Sequence, residues 1–389
     1  MNYIKSTQNY SIYFFIFTLN FAQMNLFNLG IDFLATKISI SLFFIVSLLN
    51  YKSSYSLKYF SVYLKPILLY IILLTIISYL NSSYTSNNFI DFQLFTNILI
   101  FLILLNYSRT NNKLLLKGLF VFSMSTVILS ILYFLGVDVS EQLEGRYTVF
   151  GINANILALN SCISLFILLS VIFENGLQIT KKRFFLFLLF PFLLILILKT
   201  GSRVAFISLI LGILIFLIFI RSLGNKKKIY FILFSSLLFI SFWQLFLKNS
   251  LLIERLFETV DTGDLSSRDM VWLNLFDTIS NNFIFGIGKT GYVLKFGLGS
   301  PHNVIIEVLC YTGIIGLLIF LFFFFRIVQN AIKRIKYEDN LLPLVLSIPI
   351  VGMILSGQIF DQKIVWVVFA YIASSLKIKI NSKNKFAKE

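Results

Sequence analysis

The chain is short of the residues with which a protein faces water. Only 13% of its residues are charged, about half of what a soluble domain carries, while 58% are hydrophobic and the mean hydropathy is +0.88. A water-soluble globule is excluded on that ground alone. Cysteine is almost absent, and Cys162 and Cys310 both fall inside apolar stretches, which argues against a disulfide or a metal cluster and for ordinary packing. There is one histidine, His302, and no grouping of His, Cys and acidic residues at metal-ligand spacing. Nor is there an acidic pair separated by one residue, so a metal-dependent nucleotide-sugar transferase is unsupported and neither metal nor cofactor is expected. After the first apolar segment come Gly30, Ile31 and Asp32 rather than a small-residue cleavage pattern, so that segment is expected to remain as a helix. No internal repeat is found.

What the chain does have is long apolar runs. With the bilayer as solvent, backbone N–H and C=O groups must bond within the segment, so runs of about 20 apolar residues are helices and spanning strands are excluded. Twelve spans are predicted, at about 10–29, 33–49, 62–80, 89–106, 114–135, 150–173, 184–199, 204–220, 229–247, 303–325, 341–360 and 364–380. The expected fold is therefore all-α, a polytopic bundle of about 12 transmembrane helices. Its one long hydrophilic interruption, 248–302, should face outside and hold amphipathic helices.

The net charge of +16 explains itself once it is mapped onto this topology. With the N-terminus inside, every inner segment is basic, as in Lys181-Lys182-Arg183, Lys226 to Lys228, and Lys333, Arg334 and Lys336. Of the 17 acidic residues only Glu174, Glu338, Asp339 and Glu389 fall there. The positive-inside rule is met by each inner loop, and a basic excess that orients the chain and meets anionic lipid needs no nucleic acid. Both termini are expected in the cytoplasm. Against that trend stand four outer arginines, Arg146, Arg203, Arg255 and Arg268, and arginine is the residue suited to bidentate contact with phosphate oxygens.

Lys199-Thr200-Gly201-Ser202-Arg203 runs straight into an apolar helix, which makes Ser202 a natural N-cap and puts Arg203 in the first turn. A cation there opposes the helix dipole, whereas an anion held by arginine and free backbone N–H groups would be favoured. The competing reading is a snorkelling interface arginine. Ser266-Ser267-Arg268-Asp269 precedes Met270, Val271, Trp272, Leu275, Phe276 and Ile279, the spacing of an amphipathic helix on the membrane or over the bundle. Arg268 is again near a helix start, although Asp269 could simply pair with it. Arg255, beside Glu254 and Glu258, reads as structural. His302 follows Ser300-Pro301 and is expected to open the tenth helix, with Ser300 as cap and Pro301 at the first helical position. That placement would favour the neutral imidazole, the form able to accept a proton from a sugar hydroxyl. A hydrogen-bonded interface histidine is the plainer alternative. Asn303 and Glu307, four apart, share a face. Gly286-Ile287-Gly288-Lys289-Thr290-Gly291 mimics a nucleotide loop, but Phe283 stands where a P-loop needs its first glycine and no βαβ unit surrounds it, so a turn is expected instead.

Taken together, these segments resemble the O-antigen ligase and polymerase superfamily, membrane enzymes that transfer glycans from polyprenyl diphosphate carriers. The resemblance spans roughly 146–320: Arg146, Gly151-Ile152-Asn153-Ala154-Asn155, Thr200 to Arg203, Arg268 to Trp272, Phe285 to Gly288, Ser300 to Asn303, Glu307, and Gly313-Ile314-Ile315-Gly316. Ala154 and Phe283 stand where the family often has proline, which touches backbone turns and not the ionic groups. The first five helices carry no such likeness. The resemblance implies glycosyl transfer without a metal on the outer face of a bacterial cytoplasmic membrane. Arg203 and Arg268, with Arg146, would hold the diphosphate, His302 would orient or deprotonate the acceptor hydroxyl, and Asn303 and Glu307 would contact substrate. The expected partners are the carrier-linked glycan, membrane lipids and a chain-length regulator. On this reading 1–135 holds N-terminal helices, 136–325 the ligase-like core, and 326–389 the last helices and a basic tail. A repeat-unit polymerase is placed first, an O-antigen ligase second and a glycolipid flippase third, because charges clustered at one face suit chemistry better than passage.

Overall fold

The computed structural model describes residues 2–22, 24, 35–54, 60–82, 91–108, 113–142, 146–173, 185–219, 251–262, 268–297, 301–338, 340–356 and 359–374. Its helices are α1 (Asn2–Thr18), α2 (Ala35–Leu49), α3 (Phe60–Leu80), α4 (Phe92–Ser108), α5 (Leu114–Phe134), α6 (Ala154–Phe173), α7 (Phe190–Thr200) and α8 (Arg203–Phe219). There follow α9 (Leu251–Thr262), α10 (Arg268–Asn281), α11 (Gly288–Phe296), α12 (Val304–Glu338), α13 (Leu342–Ser356) and α14 (Lys363–Ser374). Two short strands, β1 (Val139–Gln142) and β2 (Arg146–Val149), pair antiparallel between α5 and α6.

Four of these helices are long and apolar enough to cross a membrane, within Tyr63–Leu80, Leu114–Phe134, Ala154–Phe173 and Val304–Lys336. Shorter apolar helices stand at Ala35–Leu49, Phe92–Ser108, Phe185–Thr200, Arg203–Phe219, Leu342–Ser356 and Lys363–Ser374. The chain is thus a membrane helix bundle, and the span expected at 229–247 lies outside the described residues. Two boundaries differ from expectation. The helix expected at 10–29 runs from Asn2 to Thr18 and tightens into a 3-10 turn ending at Phe21. The helix expected from 150 starts at Ala154, because the residues before it form the β1–β2 hairpin.

The bundle is packed as a membrane protein packs. On α8, Ile207, Leu211, Leu214 and Ile218 are exposed at helical spacing and make a lipid-facing stripe. The opposite face carries Ala205, Ser208 and Gly212. A Cβ on Gly212 would stand 2.0 Å from the Phe166 ring, so glycine there sets how closely α8 approaches α6. Buried polar side chains bond across helices: the Asn20 amide donates to Ser125 Oγ at 2.7 Å and Thr126 Oγ1 at 2.9 Å. The Asn160 amide in turn donates to Asn20 Oδ1 at 3.2 Å, joining α5 and α6 to the end of α1. α12 packs on α3 and α13, and α14 on α4.

The long hydrophilic interruption is more helical than expected. Its helices α9, α10 and α11 lie on one end of the bundle, here called the loop face. α9 is the clearest amphipath among them: Leu252 and Ile253 are buried against Leu198 and Phe206 while Glu254 and Glu258 are exposed. α10 buries Leu275 and Thr278 and leaves Leu273 and Phe276 open.

Candidate functional site

α7 ends at Thr200 and α8 begins at Arg203, and the reversal between them turns on Gly201, whose φ of 60° is the left-handed conformation glycine adopts without a steric penalty. Its N–H donates to Leu198 O at 3.1 Å. Ser202 is buried and its hydroxyl accepts the Ala205 N–H at 3.4 Å, as the N-cap reading expects.

Three arginines from three different elements meet at this turn. Arg146, on β2, donates from Nε to Thr200 O at 3.0 Å and from Nη2 to Asn155 Oδ1 at 2.8 Å. Arg255, on α9, is 8% exposed and donates to Gly201 O at 3.3 Å. Arg203 donates to the Arg255 carbonyl at 3.3 Å. The spacing of the Asn153-Ala154-Asn155 run is thereby explained: Asn153 Oδ1 accepts the Asn155 N–H at 2.9 Å at the start of α6, and Asn155 accepts Arg146. Bonds to carbonyl and amide oxygens orient each guanidinium toward the turn. Beside them lie the first N–H groups of α8, so the turn presents positive potential from charges and helix dipole together. Arg255, read from sequence as a structural partner of Glu254 and Glu258, belongs to this group. Only its burial and inward reach reveal that.

Arg268 begins α10, as its sequence suggests; its side chain lies outside the described residues. α10 is tied to the next segment by Trp272, whose Nε1 donates to Pro301 O at 2.9 Å.

At His302 the structure corrects the expected cap. α12 starts at Val304, and its cap is Asn303, whose Oδ1 accepts the N–H groups of Ile305 at 2.9 Å and Ile306 at 3.4 Å. Ser300, the expected cap, lies outside the described residues, and Pro301 is not the first helical residue: His302 stands one residue before the cap, with φ of 55°. Histidine tolerates the left-handed region better than most residues, and here it lets the chain turn from Pro301 into the helix. Asn303 therefore has a structural duty beside any contact with substrate.

Glu307 joins a different group. Lys289 on α11 pairs with Asp91 at 2.7 Å and feels the charges of Asp361 and Glu307 as well. Burial alone would lower the Lys289 pKa, but the Asp91 charge and hydrogen bond outweigh it and raise it above the ordinary lysine value. Asp91 uses its other oxygen to cap α4 through the Leu94 N–H at 3.0 Å. The structure thus sorts the predicted residues into an arginine turn, the His302–Asn303 entry to α12, and an acid-rich rim around Lys289. The second correction concerns the glycine-rich run: Gly286 and Ile287 are a turn, but Gly288 to Phe296 is helix α11.

Residues 184–321 match the O-antigen ligase family. That stretch holds Arg203, Arg255, Arg268, His302, Asn303 and Glu307, with Arg146 lying before it. No curated protein matches the chain. Over residues 184–321 the protein is similar to the O-antigen ligases.

Proposed function

We propose that the protein is a repeat-unit polymerase that transfers glycan from a polyprenyl diphosphate carrier at the extracytoplasmic face of a bacterial cytoplasmic membrane. The observation that carries this is the convergence of Arg146, Arg203 and Arg255 on a helix start inside the family stretch, which suits a diphosphate. The orientation rests on the basic inner loops, which put the loop face outside and both termini in the cytoplasm. An acceptor hydroxyl attacks the anomeric carbon of the carrier-linked sugar. A new C–O bond forms there as the bond to the diphosphate breaks, and the hydroxyl proton passes to the His302 imidazole. The leaving polyprenyl diphosphate gathers negative charge, which Arg203, Arg268 and Arg146 stabilise in place of a metal ion. Asn303 and Glu307 line the acceptor side. Membrane lipids surround the carrier tail, and a chain-length regulator is a further candidate partner.

A ligase that moves whole glycans onto a lipid or protein acceptor is the second reading, favoured by the description of the matching family. Deleting the gene and sizing the surface glycan on a gel separates the two. Single repeats without long chains support the polymerase, carrier glycan never joined to its acceptor supports the ligase, and inward-trapped carrier glycan points to a flippase. Complementation with Arg203→Ala or His302→Ala should restore inserted protein without long-chain product. Long chains from both variants would sink the proposal.

A further inference from the structure

The segment Asn282-Phe283-Ile284-Phe285-Gly286-Ile287 between α10 and α11 does not rest on top of the bundle. It is locked, backbone to backbone, into the body of α12. The Ile287 N–H donates to Cys310 O at 2.8 Å, the Ile314 N–H to Phe283 O at 2.8 Å and the Ile315 N–H to Ile284 O at 3.5 Å. α12 opens to receive it at Gly313, whose φ of 62° and ψ of −163° break the helix. A Cβ there would stand 2.3 Å from the Ile284 carbonyl oxygen, and one on Gly286 would stand 2.6 Å from that of Cys310.

The depth of this lock follows from α12 itself. From residue 308 to 325 no charge interrupts the helix, and Glu307 and Arg326 bound that run. At about 1.5 Å per residue it spans roughly 27 Å, close to the ~30 Å of a bilayer's hydrocarbon. Gly313 lies six positions beyond Glu307, so the turn docks about 9 Å inside the apolar zone. The level of Glu307 is marked as polar by Lys289 and Asp91, which stand near it. Irregular backbone at such depth must find its partners in protein, and this one does. Gly286 N–H reaches Asn282 O at 2.7 Å, and the Asn282 amide reaches Thr278 O at 3.0 Å. Its side chains meet no such cover: Phe283, Ile284 and Phe285 are 50%, 55% and 56% exposed, and Phe276 of the preceding α10 is 68% exposed.

We propose that residues 283–285 form a re-entrant turn whose Phe283, Ile284 and Phe285 side chains pack among the phospholipid acyl chains of the loop-face leaflet, fixing the depth at which α10 and α11 leave the membrane. A surface loop has no need to break a spanning helix. The placement rests on reading α12 as a span and not on the reaction, so the glycan gel and the depth measurement fail independently.

The test uses the full chain in phospholipid vesicles without carrier lipid, spin-labelled one position at a time through Phe283→Cys, Ile284→Cys or Phe285→Cys, with exposed Asp277→Cys as reference; the native cysteines are buried. Labels at 283–285 should be relaxed by dissolved oxygen and lose relaxation by a water-soluble nickel chelate, which should act fully at 277. Nickel relaxation at 283–285 equal to that at 277 overturns the proposal. So does protection that arises only when polyprenyl diphosphate is added, since the occupant would then be the carrier tail. Should the cysteine variants fail to insert, Phe285→Trp keeps an aromatic ring. Its added fluorescence should be quenched by phospholipid brominated on the acyl chain, and quenching by aqueous iodide instead overturns the idea.

Discussion

The loop face of the bundle carries two ionic regions built on opposite plans. At the turn from Thr200 to Ser202, arginines from a strand and two helices converge and donate to carbonyl and amide oxygens there. At the rim around Lys289, the cation meets Asp91 directly, with Glu307 and Asp361 adding negative charge. The first arrangement gathers three cations beside a helix start, and the second sets one cation among carboxylates. An ion pair at a helix end serves to seat the helix, whereas several arginines gathered at a helix N-terminus are suited to an anion that arrives from outside.

That contrast can be broken by substitution. Arg203→Ala should lower glycan transfer from polyprenyl diphosphate in proteoliposomes by about 10²–10³, the usual cost of losing one group that stabilises developing charge. Arg203→Lys should recover little, since an ammonium lacks the planar fork. Arg255→Ala should cost less, about 10²-fold or below, because it acts by holding Gly201 in place and misplacement by about 1 Å costs that much. If Arg255→Ala equalled Arg203→Ala with the apparent affinity for carrier lost as well, Arg255 would be a direct ligand. Gly313→Ala should lower the melting temperature in detergent, since alanine meets both an unfavourable φ and the Ile284 carbonyl.

Lys289 should respond least. Lys289→Met should change transfer by less than about threefold and stability by under about 1 kcal/mol, because the lysine is partly exposed and water screens the pair. Its pKa is raised in the folded state, so the pair's contribution is complete below the ordinary lysine value of 10.5 and fades as pH rises through the higher folded value. The stability difference between Lys289→Met and the parent should therefore shrink as pH rises above the ordinary lysine value of 10.5. A large loss of transfer in Lys289→Met at pH 7 would add Lys289 to the chemistry and undo the comparison.

Much of the arginine turn could be read from the residues. Ser202 precedes an apolar run, Gly201 precedes Ser202, and Arg203 follows, so cap, reversal and cation were all visible within five positions. The share of Arg255 in the turn was not, because its neighbours Glu254 and Glu258 already offered a local account of it, and its bond to Gly201 O joins positions 54 apart. The cap at His302 was misplaced by three residues: Pro301 is compatible with a first helical turn, but Asn303 competes with a better acceptor and wins. The β1–β2 hairpin escaped notice because strands of four residues leave little periodic signal. The rim was invisible as a group, since Asp91, Lys289 and Asp361 share no local pattern.

By itself the sequence determined that this chain lives in a membrane, that it is helical there, and which arginines stand against the topological trend, because hydropathy and charge act segment by segment through transfer into hydrocarbon. Only the tertiary structure decided which of those arginines meet, which oxygens orient them, and that α12 breaks at Gly313 to admit Phe283 to Ile287. Such contacts join residues tens to hundreds of positions apart. They depend on how helices pack and on which backbone groups remain to be satisfied once they have, and no local pattern encodes either.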